Sequence, residues 1–308
     1  WSSDVCSSDL AEAKAMGYTM NVGTECEFFL FRRDEEGLAT TITDDVTGYF
    51  DVEPDDAGID CRRKIIQTLE AMGFEIEASH HEVAEGQHEI NFLYGPVLQA
   101  ADEHSIYKNG AKEIAAQEGM AITFIAKFDQ REGNSCHIHL SVRGQDGTPI
   151  FAEHPEIFDA FLAGQLAALS DLTLFYAPNI NSYKRFAKGS FAPTAVAWGH
   201  DNRTCALRVV GHGPAKRLEL RLPGADVNPY LALSAMIAAG LHGVDAGLEL
   251  EPPTTGSAYT SDRPTVPGTL RDARDLFAAS PIARAAFGDA VVDHYLNNAR
   301  VELEQFDA

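Results

Sequence analysis

Gly23-Thr24-Glu25-Cys26-Glu27-Phe28-Phe29 puts two carboxylates two residues apart, and the run continues into Leu30 and Phe31. On an extended chain, residues i and i+2 project to the same side. Glu25 and Glu27 therefore share one face of a strand whose following residues are apolar on both faces, the pattern of a buried strand carrying two acids. Two later stretches repeat the device. Cys136-His137-Ile138-His139-Leu140 places two histidines on one side, and Lys216-Arg217-Leu218-Glu219-Leu220-Arg221-Leu222 alternates Arg217, Glu219 and Arg221 with leucines. Each segment is a strip with one apolar edge and one ionic edge. Charge that faces inward must be paired or must coordinate a metal. Converging acids, histidines and arginines are what a divalent metal holding a nucleotide requires.

Working outward, the stretch Tyr18 to Phe31 reads as a strand and Asp34 to Val52 as a polar loop or hairpin region. Asp56 to Met72 has helical spacing, with Ile59, Ile65, Ile66, Leu69 and Met72 on one side. Strands are predicted at Phe74 to Ser79, Gln87 to Tyr94, Ala121 to Phe128 and Cys136 to Arg143. Gly95-Pro96 opens a helix to about Glu118, with proline near its first turn. Pro155 to Ala177 reads as one long helix and Asn179 to Gly199 as irregular chain. Cys205 to Val210 and Lys216 to Leu222 form a strand pair, Pro229 to Leu248 is a helix, and helices return from Leu270 with a break before Ser280-Pro281. The strands come early and at hairpin spacing, without regular β-α-β units. The expectation is an α+β fold with a largely antiparallel sheet and flanking helices.

The chain has 308 residues, 45% hydrophobic and 23% charged, with a formal net charge of −22. That is globular composition with length for a sizeable core. Such acidity speaks against non-specific binding to nucleic acid or anionic membranes, both of which reward Lys and Arg. No apolar stretch reaches the roughly 20 residues of a membrane span. Five cysteines, none in a Cys-x-x-Cys pair, do not make a disulfide framework and fit a reducing, cytoplasmic setting. Residues 1–10, WSSDVCSSDL, look foreign to the rest, as an artefact or tag, and lack the basic n-region of a signal peptide. Residues 11–308 read as one catalytic domain, cut at both ends.

Each motif also has a plainer reading. A lone Glu-x-Glu is common. His81-Glu82 and Gln87-His88-Glu89 around Gly86 are also what a solvated loop looks like. His137 and His139 read equally as core histidines, and Arg217, Glu219 and Arg221 as an internal ion-pair ladder. All of these together would require several independent coincidences.

The strings GTECEFFLF, HHEVAEGQHEI, NSCHIHLS, NSYKRF, NRTCALRV and KRLELRLPGADVNPYLA resemble the glutamine synthetase family, in the same order, over essentially all of Met20 onward. The resemblance implies a glutamine-synthetase-type catalytic domain and an ATP-dependent ligase. One Mg²⁺ or Mn²⁺ would be held by Glu27, Glu82 and Glu89, and a second by Glu25, His137 and Glu219. Hard oxygen ligands with one imidazole suit those ions. His139, Ser141, Arg208 and Arg217 match positions that hold ATP. Arg185 matches the residue that holds the glutamate α-carboxylate. Arg203 and Arg221 match arginines that neutralise charge around the transferring phosphoryl group. Arginine forks fit phosphate and carboxylate oxygens, and phosphoryl transfer needs positioning and charge neutralisation above all.

Departures from the family pattern bear on the substrate. Phe191 stands where ammonia-using members carry a glutamate, and Glu132-Gly133 replaces an Asn-Gly pair. A phenyl ring cannot accept a proton from ammonium, though it stacks on an alkylammonium chain. Both changes make the chain resemble the γ-glutamylpolyamine and γ-glutamylmonoamine synthetases more than glutamine synthetase proper, which is the nearest alternative. A guanidino kinase and a non-catalytic nitrogen-sensing relative are the more distant ones. The resemblance further implies a homo-oligomeric ring, and an N-terminal β-grasp domain that this sequence does not include.

Overall fold

A computed structural model describes residues 2–43, 45, 46, 48–51, 56 and 58–308. The chain opens with helix α1 (Ser2–Ala15) and the long strand β1 (Tyr18–Arg33), followed by β2 (Ala39–Thr43), helix α2 (Ile59–Ala71), β3 (Ile76–His81), β4 (Gln87–Phe92) and the two-residue β5 (Gly95–Pro96). Helix α3 (Val97–Gln117), β6 (Met120–Thr123), β7 (Cys136–Gly144), the short α4 (Ile150–Glu153), α5 (Pro155–Ala168) and α6 (Thr173–Tyr176) come next. Strands β8 (Trp198–His200), β9 (Leu207–Val210) and β10 (Arg217–Leu220) complete the sheet, and helices α7 (Pro229–Ala246), α8 (Leu270–Ala279) and α9 (Pro281–Asp307) close the chain.

Among the described residues, all ten strands join one sheet in the order β3-β4-β1-β7-β10-β9-β8, with β2, β5 and β6 also pairing β1. Every pairing is antiparallel except the parallel β8–β9. The α+β expectation holds. Strand β1 is central because it is long enough to pair on both edges. Its apolar positions Met20, Val22, Cys26, Phe28 and Leu30 are at most 3% exposed. Helix α7, with Asn228 capping its first turn and Gly247 in the left-handed conformation at its end, is buried along nearly its whole length. It packs on α5 so closely that Gly164 and Gly243 have no room for a Cβ; one added at Gly164 would lie 2.2 Å from the Ala239 carbonyl oxygen.

The helix expected over Pro155 to Ala177 is in fact two. α5 ends at Ala168, and Ser170 and Asp171 turn the chain before α6 begins. The strand expected to run to Phe128 stops at Thr123, and the one expected to reach Tyr94 stops at Phe92. Part of the polar region after Asp34 pairs with β1 as β2, while Val52 lies outside the described residues. Residues 2–10 form most of α1, which rests on α7 and buries Cys6 and Asp9. Burial pushes the Asp9 carboxyl up to about 7.

Candidate active site

Register assembles the site. Across the sheet, Glu25 is opposite Asn91 on one side and His137 on the other, and Glu27 is opposite Glu89. His80 is opposite Glu89, His139 is opposite both Gly23 and Glu219, and Glu219 is opposite Arg208. Opposed residues in a sheet share a face. Six strands thus present their ionic positions to one side, while Cys26, Ile90, Ile138, Leu140, Leu218 and Leu220 fill the core on the other.

Two groups of donor atoms form on this face. Oxygens or nitrogens of Glu25, His139 and Glu219 lie within 4.8 Å of one another, as do those of His80, Glu82 and Glu89. His139 Nε2 is 3.0 Å from Glu25 Oε1, and His137 Nδ1 is 3.3 Å from Glu25 Oε2 and 3.8 Å from Glu219 Oε1. His80 Nε2 is 2.6 Å from Glu82 Oε1 and 3.7 Å from Glu89 Oε1. The expected set of Glu25, His137 and Glu219 therefore converges, with His139 beside it. In the other set, Glu82 and Glu89 meet through His80. Glu27 stands slightly apart, its Oε2 accepting from the Ser135 amide at 2.6 Å and from Gln87 Nε2 at 3.2 Å.

Glu25, Glu27, Glu82, Glu89 and His137 line one cavity of about 530 Å³ together with Glu132, Gly133, Phe191, Arg203 and Arg221. A second cavity of about 220 Å³ is lined by Glu25, Asn91, His139, Ser141 and Arg217 among others. Glu25 and Asn91 line both, so the two spaces are neighbours across these residues. Three expected residues, Glu219, Arg208 and Arg185, lie outside both linings. Arg208 donates to Glu219 Oε2 at 2.8 Å and pairs with Asp201. Arg185 is 1% exposed and donates to the Leu222 carbonyl at 3.0 Å and Ser135 Oγ at 2.9 Å. It lies under the cavity wall, so close that a Cβ on Gly133 would sit 2.6 Å from Arg185 Cγ.

The acids divide by environment. Burial pushes Glu27 up to about 8, and the neighbouring Glu82 adds to the rise. Burial also raises Glu89 well above the usual carboxylate range, reinforced by Glu27 and Glu25. For Glu25 burial acts upward too, but hydrogen bonds with His137 and His139 outweigh it and hold the carboxyl low. Glu219 is held at about 2 by His137, Arg221 and His139, against the upward pull of burial. Burial shifts the His137 imidazole downward, and the Arg221 charge adds to the shift.

This donor set fits divalent metal. Carboxylates crowded so that burial and their neighbours raise both Glu27 and Glu89 are acids short of a cation, and His137 has a buried Nε2 with no hydrogen-bond partner among the described residues. Oxygen-rich sets with one imidazole match hard ions.

Reading strand by strand missed His80 as a neighbour of Glu82 and Glu89. The signal was present, since His80 and Glu82 are two apart, but the pairing of His80 with Glu89 depends on register. Tyr49 also lines the larger cavity and has no signal in the sequence.

A largely antiparallel sheet that gathers carboxylates and imidazoles on one face is the fold of a glutamine-synthetase-type catalytic domain. The glutamine synthetase catalytic domain matches residues 4–308, and the chain belongs to the glutamine synthetase family. It is 54% identical over 307 residues to gamma-glutamylethanolamide synthetase GlnA4 of Streptomyces coelicolor, covering 95% of this chain and 65% of that protein. It is 40% identical over 315 residues to the glutamine synthetase of Halobacterium salinarum, covering 97% of this chain and 69% of that protein. The solved structure described as a GmaS/ADP complex superposes with a TM-score of 0.91 at 29% identity, over 99% of this chain and 74% of that one. The chain thus spans about two thirds to three quarters of the length of these relatives. The family generally uses ATP and divalent metals.

Proposed function

We propose that this chain is the catalytic domain of an ATP-dependent ligase that joins the γ-carboxylate of glutamate to an amine, with Mg²⁺ or Mn²⁺ as the metal. Glu27, Glu82 and Glu89, with His80 beside them, would hold one ion, and Glu25, His137 and Glu219, with His139 beside them, another. Bound there, the metal supplies charge neutralisation for phosphate oxygens and positions them. His139, Ser141 and Arg217 line the smaller cavity and would hold the nucleotide, with Arg208 buttressing Glu219. Arg203 and Arg221 face the larger cavity and would offset charge on the transferring phosphoryl group. A γ-carboxylate oxygen attacks the γ-phosphorus of ATP and ADP leaves; the amine nitrogen then bonds to the acyl carbon of the resulting acyl phosphate, the carbon–oxygen bond to phosphate breaks, and inorganic phosphate and a proton are released. Arg185 would act from beneath the wall, holding Ser135 and Gly133 in place beside the glutamate. The protein would work in the cytoplasm, where its five free cysteines stay reduced, and as a homo-oligomeric ring.

The observation that carries the amine reading is Phe191. It lines the larger cavity, opposite in character to the acid clusters, and is 58% exposed. No carboxylate stands at that position to bind ammonium or take its proton. The 54% identity to a γ-glutamylethanolamide synthetase, against 40% to a glutamine synthetase, points the same way. The test is ADP release with glutamate across ammonium, ethanolamine, monoalkylamines and polyamines. Highest kcat/KM for an organic amine supports the proposal; highest kcat/KM for ammonium replaces it with glutamine synthetase proper.

A further inference from the structure

Behind the carboxylate face lies a second convergence of ligating atoms, on which the proposed reaction does not draw. Cys26 on β1 and Cys136 on β7 are directly opposite. The Glu27 amide donates to the Ser135 carbonyl at 3.0 Å and the Cys136 amide to the Pro223 carbonyl at 2.9 Å. The two cysteines are therefore a non-hydrogen-bonded pair, the kind whose Cα atoms lie closest, about 4.5 Å apart. Cys26 is 0% exposed, Cys136 1% and His104 of α3 1%. The two sulfurs and an imidazole nitrogen of His104 lie within 4.8 Å of one another.

The histidine is oriented as a ligand is. His104 Nδ1 is 3.1 Å from Thr24 Oγ1, and Thr24 projects to the same side of β1 as Cys26. With Nδ1 engaged, Nε2 is the nitrogen left to bind, and it is buried with no partner among the described residues. A ligating histidine ordinarily has its second nitrogen fixed in this way. The remaining cysteines Cys6, Cys61 and Cys205 have no such group around them among the described residues.

We propose that Cys26, Cys136 and His104 form a site for a soft monovalent cation, Cu(I), on the side of the sheet away from the carboxylate cavity. Thiolate with imidazole selects soft or borderline d¹⁰ ions. Three protein donors suit trigonal Cu(I), whereas structural Zn²⁺ takes four. Charge points the same way. The Lys108 ammonium is close enough to act on both sulfurs. Two thiolates, one Cu(I) and one ammonium sum to zero, while Zn²⁺ would leave a buried positive charge. Binding forms two Cu–S bonds and one Cu–N bond and releases the two thiol protons. It ties β1 to β7 between the positions that carry Glu25, Glu27 and His137.

The experiment is an anaerobic titration of the reduced protein with Cu(I) against a chromophoric Cu(I) chelator, with a parallel Zn²⁺ titration. The expected result is one tightly held equivalent of Cu(I) with thiolate-to-copper absorption in the near ultraviolet. Cys26→Ser, Cys136→Ser and His104→Asn should each weaken it by about 10- to 100-fold or more, and Cys6→Ser should leave it unchanged. If the serine variants do not fold, X-ray absorption on the wild type decides, with two sulfurs and one nitrogen around copper expected. Absence of a retained equivalent overturns the proposal. So does an equivalent that survives in both cysteine variants, tighter retention of Zn²⁺ than Cu(I), or a Cys26–Cys136 disulfide as the only product.

Discussion

Replacing Glu27 by glutamine separates the electrostatics of the acid cluster from its packing. Glutamine keeps an oxygen for the Ser135 amide, which reaches Glu27 Oε2 at 2.6 Å, and copies the protonated acid in shape. The Glu27 carboxyl ordinarily titrates at 4.5 and in the fold at about 8. Because the folded value is the higher one, the fold has its full stability below about 4.5 and loses it as pH rises through about 8. The step from 4.5 to about 8, at about 1.4 kcal/mol for each pH unit, amounts to about 5 kcal/mol. Metal-free wild type should therefore lose stability across that range. Glu27→Gln should lose less, because the slope due to Glu27 is gone while those from Glu89 and Asp9, which burial also raises, remain. The assay is denaturant unfolding in the presence of a chelator at pH 5, 7 and 9, repeated with saturating Mg²⁺ or Mn²⁺. Metal should flatten the wild-type curve and act weakly on the variant. Turnover of Glu27→Gln should fall by more than about 100-fold, the upper range for losing even an outer metal contact. Parallel pH–stability curves for the two metal-free proteins would refute the reasoning.

Three further outcomes follow from particular contacts. Phe191→Glu should raise kcat/KM for ammonium relative to organic amines by about 2- to 30-fold, the equivalent of about 0.5–2 kcal/mol of lost stacking, read from the amine panel; an unchanged ratio removes Phe191 from the amine pocket. Gly133→Ala would put a Cβ 2.6 Å from the Ala126 carbonyl oxygen and from Arg185 Cγ, so a stability loss of about 1–3 kcal/mol with a raised KM for glutamate is expected by thermal unfolding and kinetics. Glu219→Gln leaves Arg208 and Arg221 without their shared carboxylate. It should cost about 3–5 kcal/mol, with the difference from wild type shrinking only as pH falls toward about 2, where Glu219 itself takes up a proton.

The ionic strips were legible because a strand's period is two: Glu25 with Glu27, His137 with His139, and Arg217 with Glu219 and Arg221 each needed only their own segment. What joins strips is register, and register is a property of pairs of strands. The placement of His80 against Glu89 and of His139 against Glu219 therefore emerged only in the sheet. Burial of Arg185 was equally hidden, because its exposure is set by Gly133, Ser135 and Leu222, which lie far from it in sequence. The same holds for the Cys26–Cys136 pair, whose members lie far apart in sequence and meet only through the register of β1 and β7. The turn at Ser170-Asp171 broke a helix whose apolar spacing continued on both sides.

Activation of the glutamate γ-carboxylate by phosphoryl transfer is the central step of the proposed reaction, and an oxygen label follows that atom directly. Glutamate carrying ¹⁸O in its γ-carboxylate is turned over with ATP, metal and the preferred amine, and the inorganic phosphate and the amide are read by mass spectrometry. Attack by a carboxylate oxygen on the γ-phosphorus, followed by displacement of phosphate by the amine, predicts one ¹⁸O in each phosphate released and one retained in the γ-glutamyl amide. Phosphate without label, formed alongside amide product, would contradict the proposed acyl phosphate.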